Sequence, residues 1–279
     1  MPYLLYTEED NILYMLLYDI TIKQICIDSR FKTVDSVCDS NFKISLGRNL
    51  FLPVHTVTYL EDVVIPHSWW TINENVNDKV YIQVNGGTIY QRSLTAQQYT
   101  GDTFRDELAS KLADISFGVA YNNKRNQMTI SNSTVGNFKI LSDYELNLKG
   151  VSSDPQSCNE VLGVGTGNTS TYSPASPFVS NNLNMSAYNN LYISCPNLTS
   201  YSALNSNGSS DVIKKVPVNS DFGYLAISPT TQDHDYLDCS KMTVNTLEFH
   251  VKDAKGQLIP LHGGHASFSI VFDILENGK

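Results

Sequence analysis

The stretch 56–84 carries two runs in which apolar and polar residues alternate, on either side of a short apolar corner. Alternation with period two places every second side chain on one face, so each run predicts a β-strand with one buried face. Pro66 has no N–H to donate and is predicted to end the first strand, which leaves segment 67–70 as the corner. The residues predicted to share the buried faces are Val57, Tyr59, Val63 and Ile65 in the first run, and Val80, Ile82 and Val84 in the second.

Further strand-like segments recur along the chain, separated by clusters of turn-forming residues. The clearest pair lies near the carboxyl end, where the apolar residues of 247–251 and of 268–274 each fall on one face. Altogether the pattern gives about nine or ten strands of four to nine residues, which favours a mainly β protein with a single jelly-roll β-sandwich. The other predicted strands are 88–94, 191–195, 212–218 and 222–228.

A helix-containing segment interrupts the strands. Between Asp102 and Ile115, apolar residues recur at spacings of four, four and three, which predicts a helix with one packing face, and Thr103 with Asp106 resembles a capping box. Three short strands, 118–121, 127–131 and 137–141, are predicted to follow as a small meander, so an inserted small α/β subdomain is expected. The packing face consists of Phe104, Leu108, Leu112 and Ile115.

These patterns suggest a division of the chain. Residues 1–20 are an apolar and acidic amino-terminal arm, equally compatible with a short amphipathic helix and with an unstructured arm. Residues 21–94 and 188–279 are assigned to the jelly-roll domain. Residues 95–187 are assigned to the insertion subdomain and a polar loop, since 150–187 is rich in Ser, Asn, Thr, Gly and Pro and lacks a periodic pattern. So long a stretch is either a functional surface loop or poorly ordered.

Composition excludes several functional classes. The chain has 279 residues, enough for a substantial core, and a net charge of −9 with only 19 Lys and Arg, so no specific or general nucleic-acid binding is expected. The longest apolar run near the amino terminus, 12–18, is too short to span a bilayer, and no membrane span is expected. Five cysteines at irregular spacing, without a CxxC motif, indicate free thiols in a reducing compartment.

No constellation of reactive residues supports catalysis. His262 and His265 form an HGGH pair, but a metal-binding cupin would need further ligands on strands, and two exposed imidazoles at a glycine corner are the simpler interpretation. Ser68 lies beside His67 without a nucleophile elbow. We therefore expect no enzyme, and no catalytic, cofactor-binding or metal-binding residues. Trp69 and Trp70 remain candidates for a sugar-stacking platform, an interface anchor or core residues.

Two stretches resemble the penton, or minor capsid, proteins of virophages and Polinton-like viruses. The first runs from Cys26 to Gln83 and the second is LEFHVKDAKGQLIPLHGGHASFSIVF near the carboxyl end. Together they cover roughly half the chain. The matching positions are Asp28, Ser29, Arg30, Ile65, Pro66, Ser68 and Trp69 in the first stretch, and Asp253, Gly256 and the final Ser-Phe-Ser strand in the second.

The resemblance implies a structural role in the virion. Five copies would form a homopentamer that closes a five-fold vertex of an icosahedral capsid, with the major capsid protein as neighbour. A host surface receptor is a further expected partner, through the insertion. The alternative hypothesis is a jelly-roll receptor- or glycan-binding protein, such as a fibre head or adhesin, and a cupin-like metalloenzyme is a third.

Overall fold

The computed structural model describes residues 24–134, 136–198, 211–228 and 236–274, and the predicted arm 1–20 lies outside this part. The described chain is mainly β. Its helices are α1 (Gly101–Leu112), α2 (Asp143–Leu148) and α3 (Asn159–Leu162). Its strands are β1 (Gln24–Asp28), β2 (Asn41–Phe51), β3 (Thr56–Pro66), β4 (Lys79–Val84), β5 (Ile89–Ser93), β6 (Phe117–Asn122), β7 (Gln127–Asn132), β8 (Phe138–Ile140), β9 (Phe178–Val179), β10 (Asn190–Ser194), β11 (Val212–Pro217), β12 (Leu225–Ser228), β13 (Leu237–Asp238), β14 (Thr243–Lys252) and β15 (Ser267–Ile274).

The described residues form two compact units. The first contains the described residues up to Ser68 and from Asn189 onwards, and the second contains those of Trp69–Tyr188. The first unit holds two antiparallel sheets. One has the strand order β1-β15-β3-β12, with β13 also pairing with β3, and the other has the order β11-β10-β14-β2. We call them sheet A and sheet B.

The core of the first unit lies between these sheets. Alternating residues of β14 and β15 are buried, as their sequence pattern predicts, and the rings of Phe249 and Phe268 meet with centroids 4.9 Å apart. Because β14 belongs to sheet B and β15 to sheet A, this aromatic contact joins the two inner faces. Such edge-to-face pairs add to the stabilisation that apolar burial provides.

A β-bulge in β3 changes which residues of this strand face the core. The pairing with β15 shifts between Ser267 and Ser269, and Asp62 adopts a positive φ of 51°. One extra residue in a strand reverses the phase of its alternation. Leu60, rather than the predicted Tyr59, therefore shares the fully buried face with Val63 and Ile65. The prediction that Val57 and Tyr59 share a face with Val63 and Ile65 was wrong, because period two does not hold across the bulge.

The second unit contains two small sheets, β5-β4-β8 and β6-β7-β9, together with the three helices. Strand β4 lies at the centre of the first small sheet and is buried on both faces. Val80 and Ile82 pack into a large cluster with residues of α1, whereas Tyr81 packs with Leu141 and Leu146. The strand thus separates two apolar layers.

Two strand assignments from the sequence need correction. Segments 79–84 and 88–94, expected in the jelly-roll domain, form β4 and β5 and belong to the second unit, which begins at Trp69 rather than at Thr95. The expected meander is also incomplete, because β8 pairs with β4 instead of β7. Alternation identifies a strand and its buried face, but it carries no information about the strand's partner.

Helix α1 begins one turn earlier than the proposed capping box. Thr100 is the N-cap, and its side chain accepts a hydrogen bond from the Thr103 N–H while the Thr103 side chain accepts one from the Thr100 N–H. This reciprocal pair satisfies two N–H groups that the first turn leaves free. Phe104, Leu108 and Leu112 are buried as predicted.

The polar region 150–187 is more structured than its composition indicates. It contains α3 and β9, and a group of its apolar residues is buried in the second unit. Ser180 also links it to β7, since its N–H donates to the Met128 oxygen at 2.8 Å and its hydroxyl accepts from the Met128 N–H at 2.9 Å. Widely spaced apolar residues thus fold the region without a periodic pattern. The buried residues are Cys158, Val161, Leu162, Val164, Phe178 and Leu183.

Candidate functional site

The corner after β3 and the HGGH loop, which lie far apart in the sequence, are in contact within the first unit. The Ser68 hydroxyl donates a hydrogen bond to the main-chain oxygen of Leu261, and the Gly264 N–H donates to the same oxygen at 2.7 Å. The corner and the loop belong to the two stretches that carry the family resemblance. We call this contact the corner–loop junction.

Gly264 is required at this junction for reasons of space. A Cβ atom at this position would lie 2.6 Å from the Ser68 hydroxyl oxygen, 2.7 Å from Cγ of Pro66 and 2.9 Å from the Leu261 main-chain oxygen. These distances are shorter than van der Waals contact permits, so a larger residue would push the loop away from the corner.

His67 ties the same corner to the segment before β12. Its Nδ1 donates to the Ser220 main-chain oxygen at 2.8 Å, and its own N–H donates to the Tyr224 oxygen at 2.8 Å. The Gly223 N–H returns a bond to the His67 oxygen at 2.9 Å. Burial lowers the pKa of His67 below its ordinary value of 6.5, which favours the neutral ring at neutral pH. The contacts of His67 therefore position the chain that enters β12.

The structure places the residues of the catalytic and metal hypotheses in structural or exposed positions. Both His262 and His265 are exposed, and no group of three His, Cys, Asp or Glu residues suited to a metal ion occurs in the described part of the chain. The hydroxyl of Ser68 is engaged at the corner–loop junction. The geometry gives no support to a hydrolase triad at this corner.

The two tryptophans have different environments. Trp69 is completely buried in the second unit, its Nε1–H donates to the Ser186 oxygen at 3.0 Å, and its ring meets Tyr188 edge-on at 6.1 Å. A completely buried ring cannot stack on a sugar, so the platform hypothesis fails for Trp69. Trp70 is only partly buried.

Exposed apolar side chains gather around β12, at one end of sheet A. Tyr224 is 70% exposed and Leu225 51% exposed, and Ile227 is 44% exposed, whereas the intervening Ala226 is buried. Leu225 and Ile227 therefore point outward, next to the paired residues of β3. Single exposed apolar residues are ordinary, but a group on the outer face of an edge strand is typical of a contact surface. We call this group, with Phe222, the β12 patch.

A second set of exposed apolar residues lies in the connection between sheet A and sheet B. It follows β1, in the loop that leads to β2, and includes Phe31, 77% exposed, and Val37, 74% exposed. Val34 lies between them and is also exposed. We call Phe31, Val34 and Val37 the β1–β2 loop patch.

The sequence pattern predicts neither patch. Strand alternation in 222–228 was visible, but it does not show that β12 is an edge strand whose apolar face points outward. The loop residues Phe31, Val34 and Val37 carry a weak signal, namely three large apolar side chains in a segment otherwise made of turn formers. The sequence alone does not show whether these three side chains are buried under another part of the fold or exposed.

Comparisons with known proteins show a likeness in fold but none in sequence. No protein-family model matches the chain, and no curated protein matches it in sequence. The fold is similar to the crystal structure of the selenomethionine-labelled mavirus penton protein, with a TM-score of 0.44 and 10% identity over 91% of this chain and 99% of that one. In the described part of the chain, no helix is both long and apolar enough to cross a membrane.

Proposed function

We propose that this protein is a structural capsid protein, a penton that closes the five-fold vertices of an icosahedral virion. The first support is the route of the chain through the first unit. Strands β1, β3, β12, β13 and β15 form sheet A, whereas β2, β10, β11 and β14 form sheet B, so the chain changes sheet at most steps. Strands β12 and β13 pair with successive parts of β3, and counted as one they give eight strands in two antiparallel sheets. This arrangement is typical of a jelly roll, an architecture found in viral capsids, lectins and cupins.

The corner–loop junction is the observation that favours a penton over the other jelly-roll proteins. The two stretches that resemble penton proteins lie in different parts of the sequence. Pro66 and Ser68 of the first stretch meet Leu261 and Gly264 of the second. Segments so far apart in the sequence have no local reason to touch, so this contact supports the two stretches as parts of one fold.

The two apolar patches are suited to ring assembly. Head-to-tail contacts in a closed ring join two different surfaces of the same chain. Strand β12 lies at one end of the strand order of sheet A, and the loop patch follows β1, the strand at the other end. We propose that the β12 patch of one copy packs against the loop patch of the next, that five copies close the ring, and that the major capsid protein surrounds it.

The second unit is proposed to carry any attachment function. Its residues are inserted between β3 and β10, two strands of the jelly-roll route. Insertions are tolerated at exposed connections, and binding functions concentrate there. A host surface receptor is the proposed partner of this unit.

The mass of the purified protein in solution tests the proposal. We expect a species of five chains by native mass spectrometry and by sedimentation. Replacing Leu225 and Ile227 with Ser should reduce it to smaller species, because the contact loses its apolar area. Replacing exposed Leu148 of the second unit with Ser is the matched control and should leave the assembly unchanged.

The outcomes separate the two functional hypotheses. A stable trimer would support a fibre head or adhesin instead of a penton. A monomer at the highest soluble concentration would contradict the homopentamer, and a pentamer insensitive to the Leu225 and Ile227 changes would place the subunit contact elsewhere.

A further inference from the structure

His67 contacts an exposed turn that carries most of the β12 patch. Residues 221–225 are all exposed, so the turn has little buried surface of its own. The Tyr224 N–H closes it by donating to the Asp221 oxygen at 3.1 Å, and Gly223 takes a positive φ of 86°. Segments with few buried contacts open locally at low free-energy cost. The hydrogen bonds to His67 are therefore important in keeping the turn in place.

Main chain and side chain of His67 both take part in this contact. Its N–H donates to the Tyr224 oxygen at 2.8 Å, and its oxygen accepts the Gly223 N–H at 2.9 Å. Its Nδ1 donates to the Ser220 oxygen at 2.8 Å, and its ring meets the Phe222 ring edge-on with centroids 6.1 Å apart. His67 itself is only 2% exposed. A buried imidazole thus holds a turn that lies in solvent.

The burial of this imidazole makes the contact sensitive to acid. Burial lowers the pKa of His67 below 6.5, whereas the Ser220 oxygen and the Asp221 carboxylate favour the charged ring and oppose burial. When the turn opens, the ring is hydrated and regains its ordinary pKa. The closed turn is therefore favoured fully above about pH 6.5, and it loses stability relative to the open turn as pH falls below that value.

Other titratable groups lie on the segments around the corner. Strand β12, with the sequence LAIS, carries none. The two histidines of the HGGH loop are exposed. An exposed ring keeps most of its water whether or not the turn opens, so its protonation has little effect on opening. The charged or titratable side chains of the neighbouring segments are Glu61 and Asp62 of β3, Lys214 and Lys215 of β11, and His262 and His265 of the loop.

We propose that His67 is an acid-sensitive latch for the β12 patch. The neutral ring holds 220–224 at the corner, and protonation of the ring in mildly acidic solution releases the turn. The subunit contact that uses the patch then weakens, so the assembly loosens in an acidified compartment. Only this second step rests on the proposed function, because release of the turn is a property of the single chain.

Hydrogen exchange of the intact protein tests the release. Exchange of peptides that cover 221–228 is measured at about pH 7.5 and at about pH 5, and each rate is divided by the intrinsic rate at the same pH. In the wild-type chain we expect the protection of 221–228 to fall several-fold at the lower pH, while that of β7 in the second unit stays unchanged. Native mass spectrometry at the same two pH values should show less of the five-chain species in acid.

Two substitutions identify the group that titrates. His67→Asn keeps an N–H donor close to the position of Nδ1 but cannot be protonated, so the protection of 221–228 should be equal at both pH values. Asp221→Asn removes a carboxylate that favours the charged ring and should move the loss of protection to lower pH. The controls His265→Asn and Asp154→Asn change exposed residues and should behave like the wild type.

The other outcomes overturn one or both steps. Equal protection of 221–228 at the two pH values in the wild type would contradict the latch. The same loss in wild type and in His67→Asn would mean that another group titrates. Should His67→Asn fail to fold, exposed Asp221→Asn decides, since an unshifted response contradicts the role of His67. Release of the turn without a change in assembled mass overturns the second step alone. A chain that forms no pentamer at either pH contradicts the proposed function, and the exchange data still decide the first step.

Discussion

Ser68 donates its hydroxyl hydrogen to the main-chain oxygen of Leu261, 193 positions further along the chain. The same oxygen accepts the N–H of Gly264, so one carbonyl joins the end of β3 to the loop before β15. Strands β3 and β15 are themselves paired through most of their length. The corner–loop junction therefore continues the pairing of two strands beyond the point where Pro66, without an N–H, ends it.

Gly264→Ala should destabilise the first unit by about 1 to 3 kcal/mol, the usual cost of overpacking. The cause is the close approach of a new Cβ to Pro66, Ser68 and Leu261. Chemical denaturation measures the loss. Gly165→Ala is the control, because its Cβ would meet open space, and it should be nearly neutral.

A double variant identifies crowding as the cause of the Gly264 effect. Because Ser68 supplies one of the three close contacts, Ser68→Ala combined with Gly264→Ala should cost less than the sum of the two changes. Additive losses would mean that Gly264→Ala acts through something other than crowding at the junction.

Trp69→Ala should destabilise the second unit by about 3 to 5 kcal/mol, as large core truncations do. The substitution removes a completely buried ring and its hydrogen bond to the Ser186 oxygen. Trp69→Phe should cost less, since it keeps most of the apolar volume. Partly buried Trp70→Ala is the comparison and should cost less than Trp69→Ala. An unchanged unfolding curve for Trp69→Ala would contradict its place in the core.

Sequence patterns predicted individual strands better than their arrangement. The inward residues were correct for 247–251 of β14 and 268–272 of β15, where apolar residues alternate regularly, whereas Ile274, predicted on the same face, is 46% exposed. In β3 the pattern failed at Asp62, where a single residue with positive φ reverses the alternation. The assignment of β4 failed for another reason, because its pairing with β8 depends on residues 54 or more positions away.

The candidate site was predictable only in its parts. Ser68, Pro66 and the HGGH motif were singled out from sequence, but their meeting results from the pairing of β3 with β15, which no local pattern encodes. The β12 patch was even harder to predict from the sequence. Leu225 and Ile227 alternate like core residues, and only the position of β12 at the end of sheet A exposes them.

The cysteines should divide into reactive and protected groups. No disulfide is present, in agreement with the prediction of free thiols, and burial raises the pKa of Cys158, Cys195 and Cys239 to about 12. Since the thiolate is the reactive form, these three should resist alkylation in the native protein at pH 8. Intact mass after denaturing, non-reducing alkylation should show five labels. Four or fewer would indicate a disulfide.

Glu145 should make the second unit sensitive to acid. Burial of this carboxyl favours its neutral form, but its hydrogen bonds outweigh burial, and the net effect lowers the pKa of Glu145 below 4.5. Lys139 Nζ and the Thr169 hydroxyl each donate to it at 2.6 Å. A lowered pKa stabilises the folded state above the unfolded pKa, and this contribution is lost as pH falls through the folded value.

Glu145→Gln isolates that contribution. The difference in unfolding free energy between wild type and variant should be largest above about pH 5 and should shrink as pH falls below 4.5. Exposed Glu74→Gln is the matched control and should show little difference at any pH. A wild-type advantage that persists unchanged at pH 2 to 3 would rule out ionised Glu145 as its source.

Replacing 69–188 with a short Gly-Ser linker should leave a folded two-sheet unit. Ser68 and Asn189 border the excised segment, and each of the two units has its own buried core. All three helices described in the structure lie within 69–188, so the shortened protein should keep a strand-rich circular dichroism spectrum with little helical signal. It should also keep the corner–loop junction, because Ser68, Leu261 and Gly264 all remain.

The shortened protein also tests the role of the second unit. If the second unit binds the receptor, the shortened protein should lose receptor binding while its assembled mass still corresponds to five chains. An insoluble or molten product would show that the two-sheet unit depends on the insertion, and the proposed domain division would then be wrong.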